Sequence, residues 1–119
     1  MNSAMNSTMI ARLLAGIATA VLLLTALPSN AADLAAGEKI ATERCAACHG
    51  KDGNTAIDPS YPRISGQHED YLAHALRAYK RDDRKNPIMG AQAKLLSRED
   101  ILNLAAYYAR LPGMLNSDR

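Results

Sequence analysis

The sequence predicts an all-α domain preceded by an N-terminal segment that does not belong to it. Three observations carry this expectation. Beyond residue 32, apolar residues recur at helical spacing in three separate stretches. No stretch alternates with the two-residue period of a strand. Residues 50–66 are so rich in Gly, Pro, Asp, Asn and Ser that they read as one long irregular connection. The chain of 119 residues has room for a single domain.

The N-terminal segment has a three-part layout. Met1 to Thr8 is polar, Arg12 is the only charge before Asp33, and Leu13 to Leu27 is an apolar run. Pro28 breaks the run, and Ser29-Asn30-Ala31 offers small residues at the positions a signal peptidase reads. Residues 1–31 therefore read as a signal peptide and residues 32–119 as the domain. The run is shorter than the roughly 18–20 apolar residues that span a bilayer comfortably, which favours removal over retention as an anchor. Met1, Met5 and Met9 all precede the run and are alternative start points.

The first helix is expected to begin at Asp33, a good N-cap residue, and to run through Ala35, Ala36, Lys39, Ile40 and Ala41 toward Cys45. Pro59 and Pro62 argue against a regular strand in the connection that follows. Tyr71, Leu72, Ala75, Leu76 and Tyr79 mark a second helix over Gln67–Arg81. Asp82 to Pro87 reads as a polar turn, and Asn86-Pro87-Ile88-Met89-Gly90 as a loop. The third helix starts at Ser97, where Ser97-Arg98-Glu99-Asp100 resembles a capping box with Asp in the place Glu usually takes. Ile101, Leu104, Ala105, Tyr108 and Leu111 form its apolar stripe, and Pro112-Gly113 stops it.

A domain of this size is marginal as a hydrophobic core. It also has no Phe and no Trp, only Tyr61, Tyr71, Tyr79, Tyr107 and Tyr108, so a bound cofactor is a natural filling for its centre. Charge excludes one class of partner. Without residues 1–31 the chain carries 13 Lys and Arg against 12 Asp and Glu, which is no footprint for nucleic acid.

Both cysteines of the chain lie in Cys45-Ala46-Ala47-Cys48-His49, the C-x-x-C-H pattern of covalent haem attachment. Each thiol adds to one vinyl group of the porphyrin, and two intervening residues let both sulfurs reach one edge of the ring. His49 then lies under the iron and donates a ring nitrogen. Three other readings compete. A redox dithiol would sit near a βαβ pattern, which is missing here. A disulfide across so small a loop would stabilise little. A zinc site needs four ligands, and His68 and His74, six apart on one expected helix, face different ways.

The other face of the iron has four candidates: Met89, Met114, His68 and His74. A loop Met can swing its thioether onto the iron, and Gly90 gives backbone room. Thioether sulfur favours Fe(II) and raises the reduction potential. Met114 follows the helix stop and reads as tail. His68 and His74 read as surface residues. Core packing is the ordinary role of a lone Met, but beside a C-x-x-C-H motif the only mid-chain Met is the better ligand.

The chain resembles class I cytochromes c, and within them the c4-type and c5-type periplasmic group of bacteria. The resemblance covers nearly all of residues 33–111. It rests on Cys45 to Asn54, on Tyr61-Pro62-Arg63-Ile64-Ser65-Gly66-Gln67, on Leu95 to Ile101 and on Leu104 to Ala109. It implies a class I cytochrome c fold around one haem c, held through Cys45 and Cys48. It implies that Met89 is the axial Met, that Pro62 offers its carbonyl to Nδ1–H of His49, and that Arg63 approaches a haem propionate. Gly37 falls where the family packs its first helix closely on its last. Two departures stand out: a single haem motif where many c4-type proteins have two, and Gln92 where a second Met often follows the axial one.

The expected function is outer-sphere transfer of single electrons in the periplasm, with no enzymatic activity. The partners would be redox proteins of a respiratory or dehydrogenase chain, with membrane contact only through them or through an uncleaved signal segment. The alternative is a dedicated cytochrome subunit of a dehydrogenase or terminal reductase or oxidase. Lys80, Arg81, Arg84 and Lys85 could form a docking patch for an acidic partner, but Asp82 and Asp83 interrupt them and a solvated helix end is the simpler reading.

Overall fold

The computed structural model describes residues 31–114, so the signal-peptide reading of residues 1–31 lies, but for Ala31, outside the described residues. Asp33 opens the first helix. Its carboxylate accepts from the backbone N–H groups of Ala35 at 2.9 Å and Ala36 at 3.0 Å, satisfying two donors that a helix start leaves free. The helix then runs as α1 (Leu34–Ile40), a π-helical segment (Ala41–Cys45) and α2 (Ala46–His49). The connection over residues 50–68 follows. Next come α3 (Glu69–Lys80), α4 (Pro87–Lys94) and α5 (Arg98–Arg110). There is no strand among the described residues.

Two helical expectations hold within a residue or two at their ends. At Ser97 the capping box is complete: Ser97 Oγ accepts from Asp100 N–H at 3.0 Å, and Asp100 Oδ2 accepts from Ser97 N–H at 2.8 Å. The expected loop at 86–90 is wrong. Asn86 is the N-cap of α4, its Oδ1 accepting from Ile88 N–H at 3.0 Å and Met89 N–H at 2.9 Å. Pro87 occupies the first helical position, where its missing N–H costs nothing and its fixed φ favours the helix. The residue expected to end a polar turn therefore starts a helix.

The core is built on α5, against which α1 and α3 each pack. Ala41, Leu72, Ala73, Leu96, Ile101, Leu104, Ala105 and Tyr108 form one buried cluster. Apart from Tyr108 its members are aliphatic, three of them alanine. Gly37 lets α1 lie directly on α5: a Cβ there would fall 2.8 Å from the Asn103 carbonyl carbon and 2.9 Å from Tyr107 Cβ. Buried Asn103 ties the same contact by accepting from Asp33 N–H at 2.8 Å through Oδ1.

Candidate functional site

Cys45 and Cys48 are three residues apart on continuous helical backbone, which places them about 4.5 Å apart along the axis and on neighbouring positions of one face. Both are half-buried free thiols. Cys45 closes the π-helical segment, whose wider turn is sealed by the Ala46 N–H bonding the Ala41 carbonyl. Burial pushes the Cys45 thiol above its ordinary pKa, against a weaker opposing effect from a hydrogen bond with Tyr108. A thiol so placed carries little thiolate, the reverse of what an exchange-active dithiol needs.

His49 ends α2 and is 5% exposed. Gly50 then takes φ 81° and ψ 156°, a backbone region reserved for glycine, and turns the chain sharply away. The chain returns thirteen residues later to place the Pro62 carbonyl 2.9 Å from His49 Nδ1. A carbonyl can only accept, so the hydrogen of the neutral ring sits on Nδ1 and Nε2 keeps its lone pair. Tyr61 meets the His49 ring edge-on, centroids 6.1 Å apart.

The connection that delivers Pro62 is irregular in outline but well bonded. Asp52 accepts from Asn54 N–H at 2.9 Å, Thr55 N–H at 2.8 Å and Thr55 Oγ1 at 2.7 Å. Those bonds, the two backbone ones first, draw its carboxyl from the usual 3.8 down to about 2. Fully buried Ser65 donates its hydroxyl to the Asp52 carbonyl. Gly53 O accepts from Ile64 N–H at 2.8 Å, and the Tyr108 carbonyl of α5 accepts from Gly66 N–H at 3.0 Å. Asn54 Nδ2 donates to the Pro112 carbonyl at 2.7 Å, which pins the segment beyond α5 as well.

This donor set fits a porphyrin better than a bare ion. A porphyrin brings four nitrogens of its own and asks the chain for two thiols on one helix face and an axial lone pair. Here the thiols are free, and the Pro62 contact leaves the far nitrogen of His49 as a base. Among the described residues no three His, Cys, Asp or Glu side chains group as a metal site of their own.

The comparisons with known proteins agree. Residues 34–111 match the cytochrome c family. The chain belongs to that family. It is 46% identical over 83 residues to cytochrome c-554(548) of Halomonas halodenitrificans, a match covering 66% of this chain and 96% of the relative. It is 42% identical over 67 residues to the thiosulfate dehydrogenase electron acceptor of Thiomonas intermedia, covering 56% of this chain and 31% of that one. The crystal structure of reduced cytochrome c4 from Pseudomonas stutzeri superposes with a TM-score of 0.60 at 29% identity, over 68% of this chain and 50% of the other. The chain thus spans nearly all of the first relative and half or less of the other two. The fold is that of class I cytochromes c, in the company of the c4 group. The chain is a c-type electron carrier with one haem c, held covalently through Cys45 and Cys48.

The remaining expected residues fall in different surroundings. Met89 is half-buried in the first turn of α4. Met114 is 69% exposed beyond α5, and His68 and His74 are exposed at the start and middle of α3. Arg63 is exposed and pairs with no acidic side chain among the described residues. The basic cluster after α3 is largely engaged within the chain. Arg81 pairs with Asp83 at 2.8 Å, Arg84 stacks over Tyr79 at 4.8 Å, and Lys80 reaches backbone carbonyls. Sequence reasoning missed Asp52 and Ser65, which brace the loop that returns to His49, and Asn103, which ties α1 to α5. An Asp followed by Gly-Asn-Thr is a turn-former, and that was the available signal for Asp52.

Proposed function

We propose that this chain carries single electrons between redox proteins of a periplasmic respiratory or dehydrogenase chain, with His49 and Met89 as the two axial ligands of the haem iron. The observation that carries this reading is the 2.9 Å contact between His49 Nδ1 and the Pro62 carbonyl, which sets the tautomer a metal ligand needs. When bound, haem c supplies an iron that alternates between Fe(III) and Fe(II). The protein's part is to hold that centre still. Cys45 and Cys48 would hold the haem covalently, and Nε2 of His49 would be free to bind its iron. The Pro62 carbonyl strengthens that donor by accepting a hydrogen bond from its Nδ1–H. Met89 would offer a soft sulfur that favours the reduced state, and Arg63 would balance the charge of a propionate. No side chain is asked to move a proton or attack a bond, so the chain acts as a carrier and not as an enzyme.

Export is supported by the apolar run Leu13–Leu27 and the Ser29-Asn30-Ala31 site. Among the described residues no helix is long and apolar enough to cross a membrane. A second reading, the dedicated electron-accepting subunit of a dehydrogenase, is favoured by the likeness to the Thiomonas intermedia protein. Visible spectra of the oxidised and reduced holoprotein test the main reading. A low-spin spectrum in both states, with a weak far-red sulfur-to-iron band when oxidised, is the expected result. A high-spin spectrum, or rapid carbon monoxide binding by the ferrous protein, would overturn it. Co-purification with a dehydrogenase from native extracts would select the second reading.

A further inference from the structure

α4 is eight residues long, too short to hold its shape alone in water. Its place must come from what it touches, and it packs chiefly on α3. The contact lies at the end of α3, where Gly90 faces the Tyr79 carbonyl and Asp82. One ion pair and one ammonium-to-carbonyl contact close the seam. Asp82 Oδ2 pairs with Lys94 Nζ at 2.8 Å, with both side chains about half exposed. Lys80, the last residue of α3, sends its ammonium the other way. Its Nζ donates to the Lys94 carbonyl at 3.2 Å and to the carbonyl of buried Leu96.

Those two carbonyls belong to the last residue of α4 and to the short turn after it. A helix leaves its final carbonyls unpaired and carries partial negative charge there, so an ammonium at that position both bonds and complements it. At the other end the Asn86 side chain holds the Met89 N–H itself. Met89 is thus carried on a short rod whose start is capped from within and whose end is anchored by a residue of another helix.

We propose that Lys80 is a positioning residue for Met89, latching the C-terminal end of α4 to α3 and so holding the Met89 thioether where it is needed. The proposal rests on the reading of Met89 as axial ligand. Lys80→Met keeps most of the aliphatic stem and removes the donor. In the holoprotein it should weaken the far-red sulfur-to-iron band of the oxidised state. It should also raise the carbon monoxide binding rate of the ferrous state at least roughly tenfold, since both carbonyl bonds are lost and one charge-assisted bond alone corresponds to about that factor. Lys80→Arg should restore both. A merely structural lysine would lower the melting temperature and leave band and rate alone, and that result overturns the proposal. Should Lys80→Met fail to yield holoprotein, Lys80→Gln is read by the same two measurements, and unmoved values there also overturn it. Met89→Ala separates the two ideas: if it leaves band and rate unchanged, the ligand assignment fails, whereas if it abolishes the band while the Lys80 variants do not alter it, only the latch fails.

Discussion

The segment around His49 is held from within. His49 shares a continuous helix with both cysteines, and the loop that returns to its Nδ1 is bonded to itself through Asp52, Gly53 and Ser65 and to α5 through Gly66. α4, which carries Met89, is held from outside: beyond its Asn86 cap it depends on the seam with α3 and on Lys80 and Asp82. In the proposed ligand set, one ligand sits on a short covalent path with dense local bonding and the other on a small element docked by a few contacts. The difference predicts where the site opens first. Local opening should be cheaper at α4 than at the His49 loop, because fewer bonds must break to release it.

The largest effect should come from the His49 side. With both Cys45→Ala and Cys48→Ala in place, no covalent haem should remain, and acid–acetone should extract any pigment completely. Each single change should leave one thioether and partial retention. Haem that extracts readily from the unmutated protein would break the comparison at its root.

Next is Met89→Ala. It should leave the haem attached, abolish the far-red band, lower the reduction potential and admit carbon monoxide to the ferrous protein. Met114→Ala, on an exposed residue beyond α5, should move none of these. Redox titration and stopped-flow carbon monoxide binding on the two variants are the measurements. Unchanged values in Met89→Ala would return the sixth position to His68, His74 or Met114.

Gly37→Val acts on neither ligand but on the frame between them. A branched side chain has no space against Asn103 and Tyr107, so α1 must move off α5. The cost should be about 1–3 kcal/mol, the usual penalty for overpacking a close contact. Thermal unfolding of the holoprotein should show it, with the far-red band intact at low temperature.

The two regions also differ in how far the sequence revealed them. The haem motif and the three long helices were legible because each is written in local signals: the Cys and His spacing, the caps at Asp33 and Ser97, and the helical periods between. α4 was not, because Asn86-Pro87 is ambiguous. The same pair opens a turn or caps a helix with Pro at its first position, and packing on α3 decides between them. Lys80 sat in an apparently solvated basic cluster, and nothing local says that its ammonium finds two carbonyls more than a dozen residues away. Ser65 and Asn103 are likewise ordinary polar residues until the chain folds them into its interior. Position in three dimensions, not residue type, gives these groups their work.

The smallest predicted effect concerns acid, and it tests whether the His49 loop is the more firmly bonded region for the reason given. Asp52 keeps its charge down to about pH 2 in the folded protein, against an ordinary value of 3.8, because Thr55 and Asn54 donate to the carboxylate. A carboxyl with a lowered folded value binds fewer protons when folded than when unfolded between those two limits. Its contribution to stability is therefore complete above the unfolded value and is lost as pH falls through about 2. Asp52→Asn keeps an oxygen that can accept from the same backbone N–H groups but cannot titrate. Melting temperatures of the variant should lie close to the unmutated protein's near neutrality and fall less steeply between about pH 4 and pH 2. Some acid dependence should persist, since Asp58 is also lowered by its bonds from the Ser60 hydroxyl and N–H. An equally steep acid limb in Asp52→Asn would mean that the charge on Asp52 does not hold the loop, and that the packing of Ser65 against Asp52 and Gly53 does so instead.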